Sequence, residues 1–170
     1  MEGFDCPMAP GASCVLVVRR DLTIAFYALD PVKGRGRAIG EQRGSSVIWS
    51  VSPDGARIAF VSAGGPSEAE ESSTIRTMDV ADGTTAELRA AGLSQIWDLS
   101  WSADGKGLFV VDVSSPGGRL LRLDLDGHVI VLREFVWNAM IDHPIPSPDG
   151  RYLAFEAMTT ESNAWILENF

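Results

Sequence analysis

The sequence predicts an all-β protein assembled from repeated modules of four short antiparallel strands. Three observations carry this expectation. The phrase WSVSPDGARIAFVS from Trp49 returns as WSADGKGLFVVDV from Trp101 and as PSPDGRYLAFEAM from Pro146. Apolar residues after each turn alternate with a period of two, the signature of a strand. No segment carries the apolar stripe of a packed helix; the strongest helical composition, the polar run Ser67–Ser73, reads as a solvated hairpin loop.

The turn comes first, because it sets the phase of the repeat. In Ser52-Pro53-Asp54-Gly55, proline fixes φ near the value of the second turn position. Aspartate accepts a hydrogen bond from a nearby backbone N–H, and glycine takes the positive φ that returns the chain to the sheet. Asp104-Gly105 and Pro148-Asp149-Gly150 place the same chemistry in the next two copies. Counting from each glycine, Ile58 and Phe60, Leu108 and Val110, and Leu153 and Phe155 fall on one face of a strand. The residues between them, Ala59, Phe109 and Ala154, are also apolar, so these strands are expected to be buried on both faces.

The other strands follow from the same origin. VIWSVS, IWDLSWS and MIDHPIPS precede the turns, and strands ending in Met78-Asp79, Leu123-Asp124 and Leu167-Glu168 follow. Asp82-Gly83 and Asp126-Gly127 are hairpin turns leading to TTAELRA and HVIVLRE. A degraded first copy has its turn at Ala9–Ser13, Cys14 and Leu16 in phase, a strand ending at Leu29-Asp30, and GRAIGEQ as outer strand, with Gly34–Arg37 expected as a mobile basic connection. Four-stranded meanders of roughly 45 residues are the blades of a β-propeller. The whole chain, 1–170, is then one propeller region with blades at 1–45, 46–93, 94–135 and 136–170. The last copy has three recognisable strands and lacks an outer one. Either a short N-terminal strand closes a small four-blade ring, or the chain forms an incomplete ring, an arc of a larger one.

SPDGARIAFVS, SADGKGLFVV and SPDGRYLAFEA resemble the WD40-like, or PD40, repeats of TolB-type propellers. FYALDPVKGRGR and SNAWILENF are similar to the C-terminal propeller regions of bacterial regulatory proteins that carry a serine/threonine kinase or winged-helix domain. The resemblance covers essentially the whole chain and implies a bacterial signalling or regulatory context. The chain itself contains no glycine-rich phosphate loop, no HRD or DFG motif and no helix-turn-helix pattern.

Composition narrows the functions. A formal net charge of −9 disfavours direct contact with nucleic acid and with anionic membrane surfaces. There is no apolar run long enough to span a bilayer and no signal-peptide pattern at Met1, so any export is expected to depend on a segment upstream. Localisation stays open between a cytoplasmic setting and the periplasmic side of a membrane-anchored parent. Cys6 and Cys14 are near enough in sequence for a local disulfide, or stand as two free thiols.

No catalytic constellation is legible. A GxSxG elbow is absent. His128 flanks a turn; His143 lies in an inner strand, where Asp142 beside it would point to the opposite face. Asp124–Gly127 is shorter than a calcium loop, and no metal or cofactor is expected. Of the tryptophans, Trp49, Trp97, Trp101, Trp137 and Trp165 suit packing between blades. A channel-facing group of Trp97, Asp98, Trp137, Asp142 and His143 is the candidate binding site. The expected role is a non-catalytic binding or sensing module with a protein or small ligand as partner, and with homo-oligomers through an open sheet edge as a further expectation. The alternatives are the accessory propeller of a prolyl-oligopeptidase-like peptidase, against which the end of the chain after the last blade is weighed, and a TolB-like periplasmic scaffold.

Overall fold

A computed structural model of the chain describes residues 2–63, 73–114, 117–136 and 139–159. All regular structure among them is β. The first sheet is a meander of β1 (Glu2–Asp5), β2 (Cys14–Arg20), β3 (Thr23–Asp30) and β4 (Gly34–Arg43). The second holds β5 (Ser46–Val51), β6 (Arg57–Ala63), β7 (Ile75–Asp79) and β8 (Thr85–Leu88). The third holds β9 (Ile96–Trp101), β10 (Gly107–Ser114), β11 (Gly117–Asp124) and β12 (Val129–Val136). β13 (Ala139–Pro146) pairs with β14 (Leu153–Thr159) in the fourth. Every pairing is between antiparallel strands consecutive in sequence.

This is the all-β, bladed architecture expected from the repeat, with its turns in phase. The three motif glycines take φ of +74°, +66° and +68° at Gly55, Gly105 and Gly150, a region that costs other residues a Cβ clash. The serine ahead of each turn completes it in a way the sequence reading did not anticipate. The hydroxyls of Ser52, Ser102 and Ser147 each donate to the aspartate two residues on, at 2.6 Å in all three cases. Each also accepts the N–H five residues on, at 2.9 Å from Arg57, 3.0 Å from Gly107 and 3.0 Å from Tyr152. The aspartate accepts the next N–H but one, from Ala56, Lys106 or Arg151. One small hydrogen-bonded cage is therefore built three times.

The sheets stack through apolar faces set by the period of two. Ile58, Phe60 and Met78 face back to Val15, Val17, Ile24 and Phe26 of the first sheet. Ala59, Val61 and Ile75 face forward to Leu99, Trp101, Leu108 and Val110 of the third. Burial on both faces thus holds for β6 and for most of β10. It does not hold for β14, where Ala154 is exposed and Leu153 and Phe155 alone turn toward Val111, Leu120 and Ile141.

One expectation needs correction, and one of two alternatives is ruled out. Gly34–Arg37 is no mobile connection: β4 begins at Gly34, and its first half pairs with Asp30 and Leu29. The N-terminal strand does not complete the last sheet either, because Glu2–Asp5 pairs with Val15–Val18 inside the first. All but Ser73 of the loop expected at Ser67–Ser73, and the last strand expected around Trp165 and Leu167, lie outside the described residues.

Candidate functional site

The first strands of the second, third and fourth sheets sit against one another in turn, so β5, β9 and β13 form an inner row. β13 is irregular there. Its ladder runs Asp142↔Glu156 and then Ile145↔Ala154, so His143 and Pro144 together oppose Phe155. Pro144 has no N–H to give the ladder, and His143 adopts a φ of +51°. This bulge overturns the expectation that Asp142 and His143 point to opposite faces. The imidazole Nδ1 lies 3.6 Å from the Asp142 carboxylate and 3.8 Å from that of Glu156.

The neighbouring sheet supplies the third member. Asp98 Oδ2 accepts the His143 backbone N–H at 2.9 Å, and Oδ1 accepts that of Leu99 at 2.7 Å. The Ser100 hydroxyl donates to the Pro144 carbonyl. Two inner strands are thereby joined by side chains of β9 reaching the distorted backbone of β13. Burial of the Asp98 carboxyl pushes its pKa up to about 6, and its hydrogen bond with Asp142 adds to the rise. The two N–H donors act against that rise without cancelling it. Two carboxyls in contact hold a proton between them more readily than two charges.

Of the predicted group, then, Asp98, Asp142 and His143 come together. The Trp97 side chain is exposed. Trp137 lies outside the described residues. Glu156 was missed, because only the hairpin register across β13 and β14 brings it to Asp142. The ligand atoms of Asp98, Asp142 and His143 lie close enough together to hold a cation, and so do those of Asp124, Asp126 and His128. In the second trio Asp124 already accepts the Asp126 and His128 N–H groups and meets the His128 ring at 2.9 Å, as a hairpin turn requires. Its pKa is held below the usual carboxylate range, first by the His128 N–H.

Trp49 and Trp101 pack between sheets. Trp101 is buried and donates through Nε1 to the Ser50 carbonyl at 3.1 Å. Trp49 meets Phe26 edge-on. Cys6 and Cys14 are joined in a disulfide between the end of β1 and the start of β2. The pair of buried Asp112 and partly exposed Arg119 is not legible in the sequence: Asp112 accepts the Ser94 and Gln95 N–H groups with one oxygen and the Arg119 guanidinium with the other. A charge in the middle of GLFVVDVS is recognisable only once its partner on β11 is placed beside it.

No family model matches the chain, and no curated protein matches it. Solved structures do. TolB from Acinetobacter baumannii is 20% identical with a TM-score of 0.66, covering 89% of this chain and 36% of its own. A putative TolB from Agrobacterium tumefaciens is 19% identical with a TM-score of 0.71, covering 90% and 53%. A prolyl endopeptidase is 16% identical with a TM-score of 0.65, covering 93% and 26%. The chain therefore has a TolB-like β-propeller fold. It spans between about a quarter and about half of the length of these structures.

Proposed function

We propose that the chain is a non-catalytic recognition module, part of a TolB-like propeller in a larger bacterial signalling or regulatory protein. The observation that carries this reading is the meeting of Asp98 with the Asp142–His143 bulge, where two adjacent sheets present carboxyls to the inner row. A stiff scaffold holding half-buried acids suits a ligand that brings positive charge, and leaves recognition to side-chain placement. The role of a parent kinase or winged-helix domain, and a protein or small molecule as the partner, belong to this proposal. Two assays test it. The purified chain should turn over neither peptide nor ester substrates, and a small diamine should shift the amide signals of Asp98, Leu99 and His143. Hydrolysis that co-purifies with the protein and disappears in Asp98→Asn or His143→Ala would refute it.

A second reading rests on the likeness to a prolyl endopeptidase structure. There the module would gate access to a separate hydrolase domain. Sequencing the gene on both sides of this region separates the two readings: a hydrolase domain supports the second, a kinase or winged-helix domain the first.

A further inference from the structure

The repeat allows the junctions between sheets to be compared position by position at their turn ends. At the first junction, the space is closed by the segment that the disulfide anchors. The Ala9 N–H donates to the Pro53 carbonyl at 3.0 Å, and a Cβ placed on Gly55 would meet Pro7 and Ala12 at 3.2 and 2.9 Å. At the second junction, an arginine closes it. Arg57, two residues after the turn glycine, crosses to the third sheet, lays its guanidinium 4.8 Å from the centre of the Trp101 ring and donates to the Gly105 carbonyl at 3.1 Å.

Among the described residues, the third junction has neither plug. The counterpart of Arg57 is Gly107, and the counterpart of Trp101, four residues before the turn glycine, is Pro146. A cleft of about 580 Å³ lies there instead, lined by Ala103, Asp104, Phe109, Arg122, Pro146 and Asp149 among others. Its charged groups are two carboxylates and one guanidinium. Arg122 is turned to Asp104 of its own sheet, at 3.8 Å with both side chains nearly half exposed. Gly150 lines the cleft at the corner that corresponds to Gly105. Gly107 cannot be regarded as an arginine lost without consequence, because a Cβ there would lie 2.5 Å from the Leu123 carbonyl oxygen. The close approach of β10 and β11 keeps the slot open.

We infer that this third junction is a binding slot for an arginine side chain of a partner polypeptide, entering where Arg57 sits one sheet earlier. The chemistry matches part by part. Asp104 and Asp149 supply the negative field, in a chain of net charge −9. Phe109 offers an aromatic face of the kind on which guanidinium groups stack. Pro146 and Pro148 line the opposite wall with apolar surface for the methylene stem. A planar, weakly hydrated cation suits such a slot better than the compact ammonium of lysine. The slot lies at the turn end and is separate from the Asp98–His143 site, so either assignment can fail alone.

The test uses the full chain, isotopically labelled, with three capped tripeptides that differ only in a central arginine, citrulline or glutamate. The arginine peptide should shift the amides of Ser102–Asp104, Phe109 and Asp149–Gly150 saturably, and the neutral citrulline peptide should bind at least about 10-fold more weakly. Ala103→Trp, which fills the slot, should abolish the shifts while the protein still unfolds cooperatively. Arg122→Ala removes the one like charge and should tighten arginine binding several-fold. Three results would overturn the inference: no saturable shift up to on the order of 10 mM arginine peptide, equal binding of arginine and citrulline, or preference for the glutamate peptide with loss in Arg122→Ala. If Ala103→Trp does not fold, the Arg122→Ala result decides by its sign.

Discussion

Alanine at the three turn serines is the sharpest perturbation of the repeat, because the same bonds occur at different depths. Ser52 and Ser102 are buried, whereas Ser147 is only half covered. At the two buried positions, alanine removes a hydroxyl that donates to Asp54 or Asp104 and strands the N–H of Arg57 or Gly107. A buried donor left without a partner costs about 1–3 kcal/mol. The lost bond to the carboxylate adds to this, but Asp54 and Asp104 face water, which replaces much of it. Ser52→Ala and Ser102→Ala are therefore expected to cost about 2–3 kcal/mol each. Ser147→Ala, with bonds of the same length but access to solvent, should stay within the spread of ordinary surface substitutions. Urea unfolding followed by circular dichroism measures all three at unchanged m-value. Equal losses at the three positions would refute the burial argument, and losses below about 0.5 kcal/mol at Ser52 and Ser102 would refute the structural role of the cage.

Four further outcomes follow from particular contacts. Asp98 has a raised pKa in the folded protein, so its contribution to stability is complete below the ordinary carboxylate pKa and is lost as pH rises through about 6. Stability at the β9–β13 junction should fall across that window, and Asp98→Asn should flatten the profile. The turn aspartates Asp54, Asp104 and Asp149 act in the opposite sense. Their pKa values are lowered, first by the serine hydroxyls, so their contribution is present above the ordinary carboxylate pKa and disappears on acidification. Asp112→Asn leaves the Arg119 guanidinium without its countercharge and should cost about 3 kcal/mol in a denaturant titration; a loss under about 1 kcal/mol would mean that solvent already screens the pair. Reduction of the Cys6–Cys14 disulfide, which spans 8 positions, should destabilise the first sheet by roughly 2–3 kcal/mol. Hydrogen exchange confined to β1 and β2 would register it, and unchanged protection on reduction would contradict it.

The repeat was legible because it is local. Period-two apolar residues, the positive-φ glycines and the acid at the end of each second strand depend on neighbours a few residues away, so Ile58, Leu108 and Leu153 fixed the phase of three sheets before any coordinates. Asp98, Asp142 and His143 were named from their place on inner strands. Their meeting was not visible, because a regular strand separates Asp142 from His143, and only the bulge at Pro144 undoes that separation. Glu156 depends on hairpin register, and Asp112–Arg119 on the pairing of β10 with β11, neither of which the alternation of residues specifies. The open junction required both kinds of knowledge. Gly107 and Pro146 can be read beside Arg57 and Trp101 in the sequence, but the reading has no meaning until Arg57 is seen crossing to Trp101. Sequence determined the sheets, since strand and turn chemistry act over a few residues. Tertiary structure decided what the sheets present to one another, since contacts across a junction join residues some 45 positions apart and depend on how each sheet is seated on the next.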